Sequence, residues 1–99
     1  MTNEFYDSNM KFNDEILFNG LLIRLIDVPP DEINNRNLIA IDNTGKIIWT
    51  IEDLSIDGHD SPFVGIERVA GRLIAYNWDG LRVEIDPESG KICSRKITK

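Results

Sequence analysis

The sequence predicts an all-β domain, an antiparallel meander of about eight strands folded as a small two-sheet sandwich or open barrel. Three observations carry this. Turn-forming pairs, Asn19-Gly20, Ala70-Gly71 and Asp79-Gly80, recur at short intervals and leave little room for helices. Between them lie runs of strand length rich in Ile, Leu, Val, Trp and Tyr. Finally, "NLIAIDNTGKIIW" at 37–49 returns loosely as "LRVEIDPESGKIC" at 81–93. Each copy reads as apolar strand, Asp, polar turn closing in Gly-Lys-Ile, and apolar strand.

Taken in order, residues 1–14 form an N-terminal arm whose Phe5, Tyr6, Met10 and Phe12 stand among polar neighbours, as in an arm packed on a sheet. Strands at 15–18 and 21–28 flank Asn19-Gly20, a two-residue type I′ hairpin signature. The second of these is apolar on both sides, as a central strand is. "PPDEINNR" at 29–36 is polar and Asn-rich, a long hairpin link. Strands at 37–42 and 46–52 flank the turn Asp42-Asn43-Thr44-Gly45. Alternation in the latter puts Ile47, Trp49 and Ile51 on one side, with Ile48, Thr50 and Glu52 on the other. A second long link, "DLSIDGHDSP" at 53–62, leads to strands at 63–70 and 72–78 around Ala70-Gly71. Asp79-Gly80 reads as another type I′ turn. It leads to a strand at 81–86, where Leu81, Val83 and Ile85 face away from Arg82, Glu84 and Asp86. The turn Asp86–Gly90 then opens a last strand at 91–98.

Ninety-nine residues make one domain, 1–99, of a size that buries roughly 65% of its unfolded surface. The single cysteine, Cys93, excludes an intramolecular disulfide, and no Cys/His spacing suits structural zinc. The N-terminus lacks a basic segment followed by an apolar one, and the longest apolar run, 21–28, is broken by Arg24. The expectation is a cytoplasmic protein with no membrane span and no cofactor. Net charge is −6, unevenly spread: residues 1–63 hold 12 acidic and 4 basic side chains, residues 64–99 hold 5 and 7. Nucleic-acid affinity comes mainly from Lys and Arg displacing counterions, so DNA or RNA is disfavoured as a partner. The same balance favours solubility or fast association with a basic protein.

Material for catalysis is thin. His59, the one histidine, sits in the loop "IDGHDSP" with Ser61 two residues on, but no Gly-x-Ser-x-Gly accompanies them. Cys93 lies within a strand, as a small hydrophobe does. Asp53-x-Ser55-x-Asp57-Gly58 begins like a calcium loop, yet the position that needs Glu holds Val64. No metal, catalytic or cofactor-binding residue is therefore assigned. The loop is a better partner-binding surface, with Asp53, Asp57, His59 and Asp60 together. Glu67 on the following strand extends it. Trp78 and Asp79, at a separate hairpin, are a second candidate; Trp78 shares a face with Ile74 and Tyr76, which favours the core over an exposed anchor.

The run "GRLIAYNWDGLRVEIDPESGKI" resembles a blade of a pyrroloquinoline-quinone-type β-propeller, whose signature ends in Ser/Thr-Gly-Lys and a tryptophan. The first copy keeps that tryptophan as Trp49, whereas the second has Ser94 in its place. Two blades cannot close a ring, and blade signatures imply none of the quinone chemistry. Two sheets built from the same hairpins on both sides of one core are the expected outcome. Over residues 21–93 the chain is similar in general character to small, acidic, all-β bacterial immunity proteins of polymorphic toxin and contact-dependent growth inhibition systems. That resemblance implies a non-catalytic protein, monomeric in its complex, that binds a cognate toxin domain, often a basic nuclease, and masks its active or substrate-binding surface. Two other readings stay open: a structural or assembly module pairing with a larger β-protein, and a small hydrolase.

Overall fold

Hairpins laid down in sequence order build the whole molecule. The computed structural model describes residues 5–7, 10–55 and 57–97. The strands are β1 (Phe12–Phe18), β2 (Leu21–Ile26), β3 (Leu38–Ile41), β4 (Ile47–Thr50), β5 (Phe63–Val69), β6 (Arg72–Asn77), β7 (Leu81–Ile85) and β8 (Ile92–Ile97). They form two four-stranded sheets, ordered β1-β2-β3-β4 and β5-β6-β7-β8, with every pair antiparallel. This is the expected two-sheet, all-β meander. The first strand starts at Phe12 rather than 15, because Asn13 is absorbed as a bulge between Phe12 and Asp14. Of the N-terminal arm, residues 1–4, 8 and 9 lie outside the described residues, as do residue 56 and residue 98 at the end of the last strand.

The repetition extends well beyond one hairpin. Phe12 corresponds to Phe63, a separation of 63 − 12 = 51, and the bulge at Asn13 recurs at Val64. Asn19 and Ala70, both with positive φ, close equivalent two-residue turns. Across the second hairpins the separation is 86 − 42 = 44. There a bulge at Ile48 recurs at Cys93, which is exposed at that bulge and not packed as a hydrophobe. The seven-residue difference lies in the longer link between β2 and β3.

The two copies turn opposite faces inward. Ile23, Leu25, Leu38 and Ala40 of the first sheet enter the common core, whereas their structural equivalents Ile74, Tyr76, Arg82 and Glu84 lie outside it. The second sheet contributes Ile66, Leu73, Ala75, Val83 and Ile85. The sheets therefore stack front to back and do not mirror each other. The first sheet is apolar on its outer face too, where Ile26, Ile39 and Ile41 gather with Tyr6, Leu22 and Ile47. This corrects the alternation expected for 46–52. The Ile48 bulge moves Ile47 to the outer face, while Trp49 and Ile51 remain in the core. Arg24, in the middle of β2, is accommodated on that outer face. Its guanidinium lies 4.6 Å from the Tyr6 ring centre and 4.3 Å from that of Phe12, and it pairs with Glu15 at 2.9 Å.

The repeated Asp has a structural task. Asp42 Oδ1 accepts hydrogen bonds from the amides of Thr44 (2.8 Å) and Lys46 (3.0 Å) and from the Thr44 hydroxyl (2.6 Å). Asp86 accepts the Glu88 amide at 3.0 Å. Both carboxyls are held below the ordinary aspartate range, Asp42 chiefly by the Thr44 hydroxyl and amide, Asp86 by the Glu88 amide and the Ser89 hydroxyl. The two turns are then used differently. Trp49 of the first copy lies against Gly90 of the second and donates its Nε1–H to Pro87 O at 2.7 Å. The turn of the first copy meets the arm, where Phe5 bridges Lys46 and the Tyr6 amide donates to Gly45 O at 2.8 Å.

Trp49→Ala should lower stability by roughly 3–5 kcal/mol through loss of a large buried ring, and an unchanged urea midpoint would contradict its placement. A Cβ on Gly90 would meet ring atoms of Trp49 at 2.6–2.8 Å, on a backbone with φ of +77°. Gly90→Ala should therefore be strongly destabilising in the wild type, and in the Trp49→Ala background should retain only the left-handed backbone cost of about 1–2 kcal/mol. Additive costs in this double-mutant cycle would show that ring and glycine are not in contact. The depressed Asp42 and Asp86 values imply that their contribution is fully present above the unfolded value of about 3.9 and is lost as pH falls through the lower folded values. Asp42→Asn with Asp86→Asn should lower the thermal midpoint at neutral pH and flatten its decline below about pH 4; an acid response equal to the wild type's would refute this.

Candidate functional site

The chain leaves β4 at one edge of the first sheet and must reach the start of β5 in the second. The crossing segment, 51–62, is held by side chains from the longer β2–β3 link. Asn37, 2% exposed, accepts the Phe63 amide at 2.8 Å and donates to Phe63 O at 2.9 Å and Ile26 O at 3.2 Å. Asn35 accepts the Ser61 amide at 2.7 Å and donates to His59 O at 2.7 Å, with Asp53 Oδ2 at 3.5 Å. Arg36 Nε donates to Ile51 O at 2.9 Å. Buried backbone groups need partners. Here one long link supplies them to another.

This bracing brings the β6–β7 turn to the same place. The Trp78 amide donates to Pro62 O at 2.8 Å, the Ser61 hydroxyl donates to Asp79 Oδ2 at 2.7 Å, and His59 Nε2 lies 3.0 Å from that same oxygen. His59 and Asp79, read from sequence as belonging to separate surfaces, are thus one cluster. The turn is not type I′: Asp79 keeps negative φ, Gly80 alone has φ of +84°, and the Gly80 amide bonds Asn77 O at 3.1 Å. That is a type I turn with a bulge glycine. Asn77 sets it by accepting the Leu81 amide at 2.9 Å. The turn begins one residue earlier than expected and swings Trp78 out of the strand. Its side chain is 71% exposed, not in the core.

The other predicted residues divide. Asp57, with φ of +57°, and Asp60 are exposed on the loop. Asp53 is tied into it, accepting the Ser55 hydroxyl at 2.6 Å and the Ser55 amide at 2.8 Å. Those bonds, with help from Asn35 and Arg36, hold its carboxyl below the ordinary range. Glu67 faces the outer side of the second sheet, where the Tyr76 hydroxyl donates to it. Ser61 is 1% exposed and spends its hydroxyl on Asp79. A carboxylate standing between serine and histidine organises a loop; it does not place a base against a nucleophile. Among the described residues no group of three or more His, Cys, Asp or Glu could hold a metal, and no helix is long and apolar enough to cross a membrane.

Beside the cluster opens a cleft of about 410 Å³, lined by Leu54, His59, Asn77, Asp79, Leu81, Arg95 and Ile97. It lies against the inward face of β8. In register, Arg95 pairs with Val83 and Ile97 with Leu81. Val83 is fully buried, yet Ile97 is 71% exposed. Asn35, Asn37, Leu54 and Arg95 carry no sequence expectation, and Ser61 enters the sequence analysis only as a neighbour of His59 without a nucleophile motif. The one cue for the first two is the density of asparagine in "INNRN", since an amide can serve donor and acceptor at once.

Residues 7–97 match the family described as Domain of unknown function (DUF7957), and the chain belongs to that family. No significant match is found among curated proteins or solved structures.

Asn35→Ala leaves the buried Ser61 amide without an acceptor. It should cost about 1–3 kcal/mol and speed hydrogen exchange at Ser61 while β2 and β3 stay protected. Uniform acceleration across both sheets would show that the clasp belongs to the global fold and not to this loop.

Proposed function

We propose that this DUF7957 member is a non-catalytic binding protein, an immunity protein that neutralises a cognate bacterial toxin by masking its active or substrate-binding surface from the end of the sandwich that carries the 53–62 loop. One observation supports this above the others. Trp78, 71% exposed, is held by its own backbone against the loop that presents Asp57 and Asp60, so a large aromatic stands fixed beside exposed carboxylates. Aromatic anchors of this kind dominate binding energy, because a rigid ring buries much area at small entropic cost. Exposed acids around it steer a basic partner and speed encounter.

The partner on this reading is a toxin domain with a basic surface, met in the cytoplasm of the producing cell, and the complex needs no cofactor. The bracing by Asn35, Ser61 and Asp79 keeps the loop close to its bound shape, which lowers the ordering cost of association.

Co-expression with the product of the reading frame directly upstream should yield a complex that protects cells. Trp78→Ala should weaken it by about 2 kcal/mol or more, mainly through faster dissociation. Asp57→Lys with Asp60→Lys should slow association and reduce its salt dependence, because exposed charges act over about 8–10 Å at physiological ionic strength. Asp53 is left intact in that variant because it holds the loop. Unchanged affinity and salt response in both variants would remove this end of the molecule from any interface.

A further inference from the structure

The cleft beside Trp78 carries a more specific reading, one that rests on the proposal that this end of the molecule meets a protein partner. We infer that the cleft captures the C-terminal residue of a partner chain, an aliphatic residue whose free carboxylate is met by Arg95 and Asn77.

Two hydrogen-bond donors reach the cleft without acceptors. Asn77 is 3% exposed, and its Oδ1 is committed to the Leu81 amide, while its Nδ2 has no acceptor among the described residues. Arg95 likewise has no ion pair or hydrogen bond among the described residues, in a chain where Asp and Glu outnumber Lys and Arg by 17 to 11. Arg82 and Lys96 lack an ion pair among the described residues too; what distinguishes Arg95 is its place with the buried Asn77 at the cleft, where a guanidinium can bind a carboxylate bidentately. The remaining lining is mixed: the Asp79 carboxylate and His59 also border the cleft, with Asp79 Oδ2 taken up by the Ser61 hydroxyl and His59 Nε2, and three aliphatic residues supply the apolar half. Leu54, Leu81 and Ile97 come from the loop, β7 and β8, and Ile97 exposes an aliphatic surface at the rim.

Size selects the occupant. A cleft of about 410 Å³ lies at the small end of ligand sites, which run from about 300 to 1,000 Å³, with room for one or two residues. Carboxylate and aliphatic group must then be borne within a few ångströms of each other. An acidic residue next to an aliphatic one in an extended segment points to the opposite side. A chain-terminal Leu, Ile or Val carries both groups on one Cα. Capture of a terminal carboxylate is an established way for a domain to read a peptide.

The experiment titrates the full chain, followed by amide and indole NMR, with the hexapeptide Gly-Ser-Gly-Ser-Gly-Leu, its C-terminal amide, and 4-methylpentanoate. The free-acid peptide should give saturable shifts at Leu81, Arg95, Ile97 and the Trp78 indole, and should bind at least about tenfold more tightly than the amide. Arg95→Ala should abolish that preference, with Arg95→Lys restoring part of it. Asn77→Asp keeps the acceptor for Leu81 but replaces the donor with a negative charge, and should remove binding together with a lowered thermal midpoint because the charge is buried; the exposed Arg95 variants test the same site without that cost. Equal binding of acid and amide, shifts away from the cleft, or 4-methylpentanoate binding as tightly as the peptide would each overturn the inference, the last by making the site one for free acids. No toxin is present in this titration, so its failure leaves the partner reading to the co-expression experiment.

Discussion

The amide of Asn37 is the point on which the two halves of the molecule turn. Each sheet is a local meander whose backbone hydrogen bonds are satisfied within itself, so neither ladder refers to the other. At Phe63 the backbone of the second sheet finds two partners supplied from the first half of the chain, both of them on one asparagine side chain. An unpaired amide at that depth would be expensive, so the register between the sheets is fixed there. Everything downstream inherits the position: Asn35 holds the crossing loop, the loop holds Ser61, and Ser61 with His59 holds Asp79.

Stacking one unit front to back asks more of a sequence than mirroring it. The same strand position must be apolar in one copy and polar in the other, and the first sheet, lying between the second sheet and the arm, needs hydrophobic residues on both sides. β2 shows this most clearly, with Ile23 and Leu25 in the main core and Leu22 and Ile26 in the outer cluster. The second sheet has no such cover. Its Ile74 is buried at 1% exposure on the outer side, among the stems of Arg72, Glu84 and Arg82, a use of long charged side chains as partial cover for apolar surface.

How much of this was legible follows from which interactions are local. Strand positions, antiparallel pairing and four of the five hairpin turns rest on patterns confined to a few residues, and all describe the molecule. The face of Ile47 did not, because a bulge shifts alternation without altering composition. Trp78 failed for a related reason: it is in step with Ile74 and Tyr76, but the turn that starts at Asn77 ends the strand before it. The asparagine clasp and the cleft were illegible in a stronger sense. Asn35 and Ser61 meet across 26 residues and Leu81 and Arg95 line one cleft across 14, and the cleft is assembled from a loop, a turn and two strands, a property of packing rather than of any motif. The acids of the 53–62 loop are adjacent in sequence, but one of them, Asp53, is occupied within the fold.

Trp49 against Gly90 is also the contact by which one repeated unit engages the next. A ring of one unit lying on the turn of the next is a head-to-tail contact, and head-to-tail contacts that do not close generate filaments. Here the series ends after one step. The second unit offers Ser94 where a ring would be needed to reach another molecule, and the turn of the first unit is met by the backbone of Phe5 and Tyr6. Among the described residues the contact is thus made once, inside one chain, with the ring of the first unit on the turn of the second and the arm on the turn of the first.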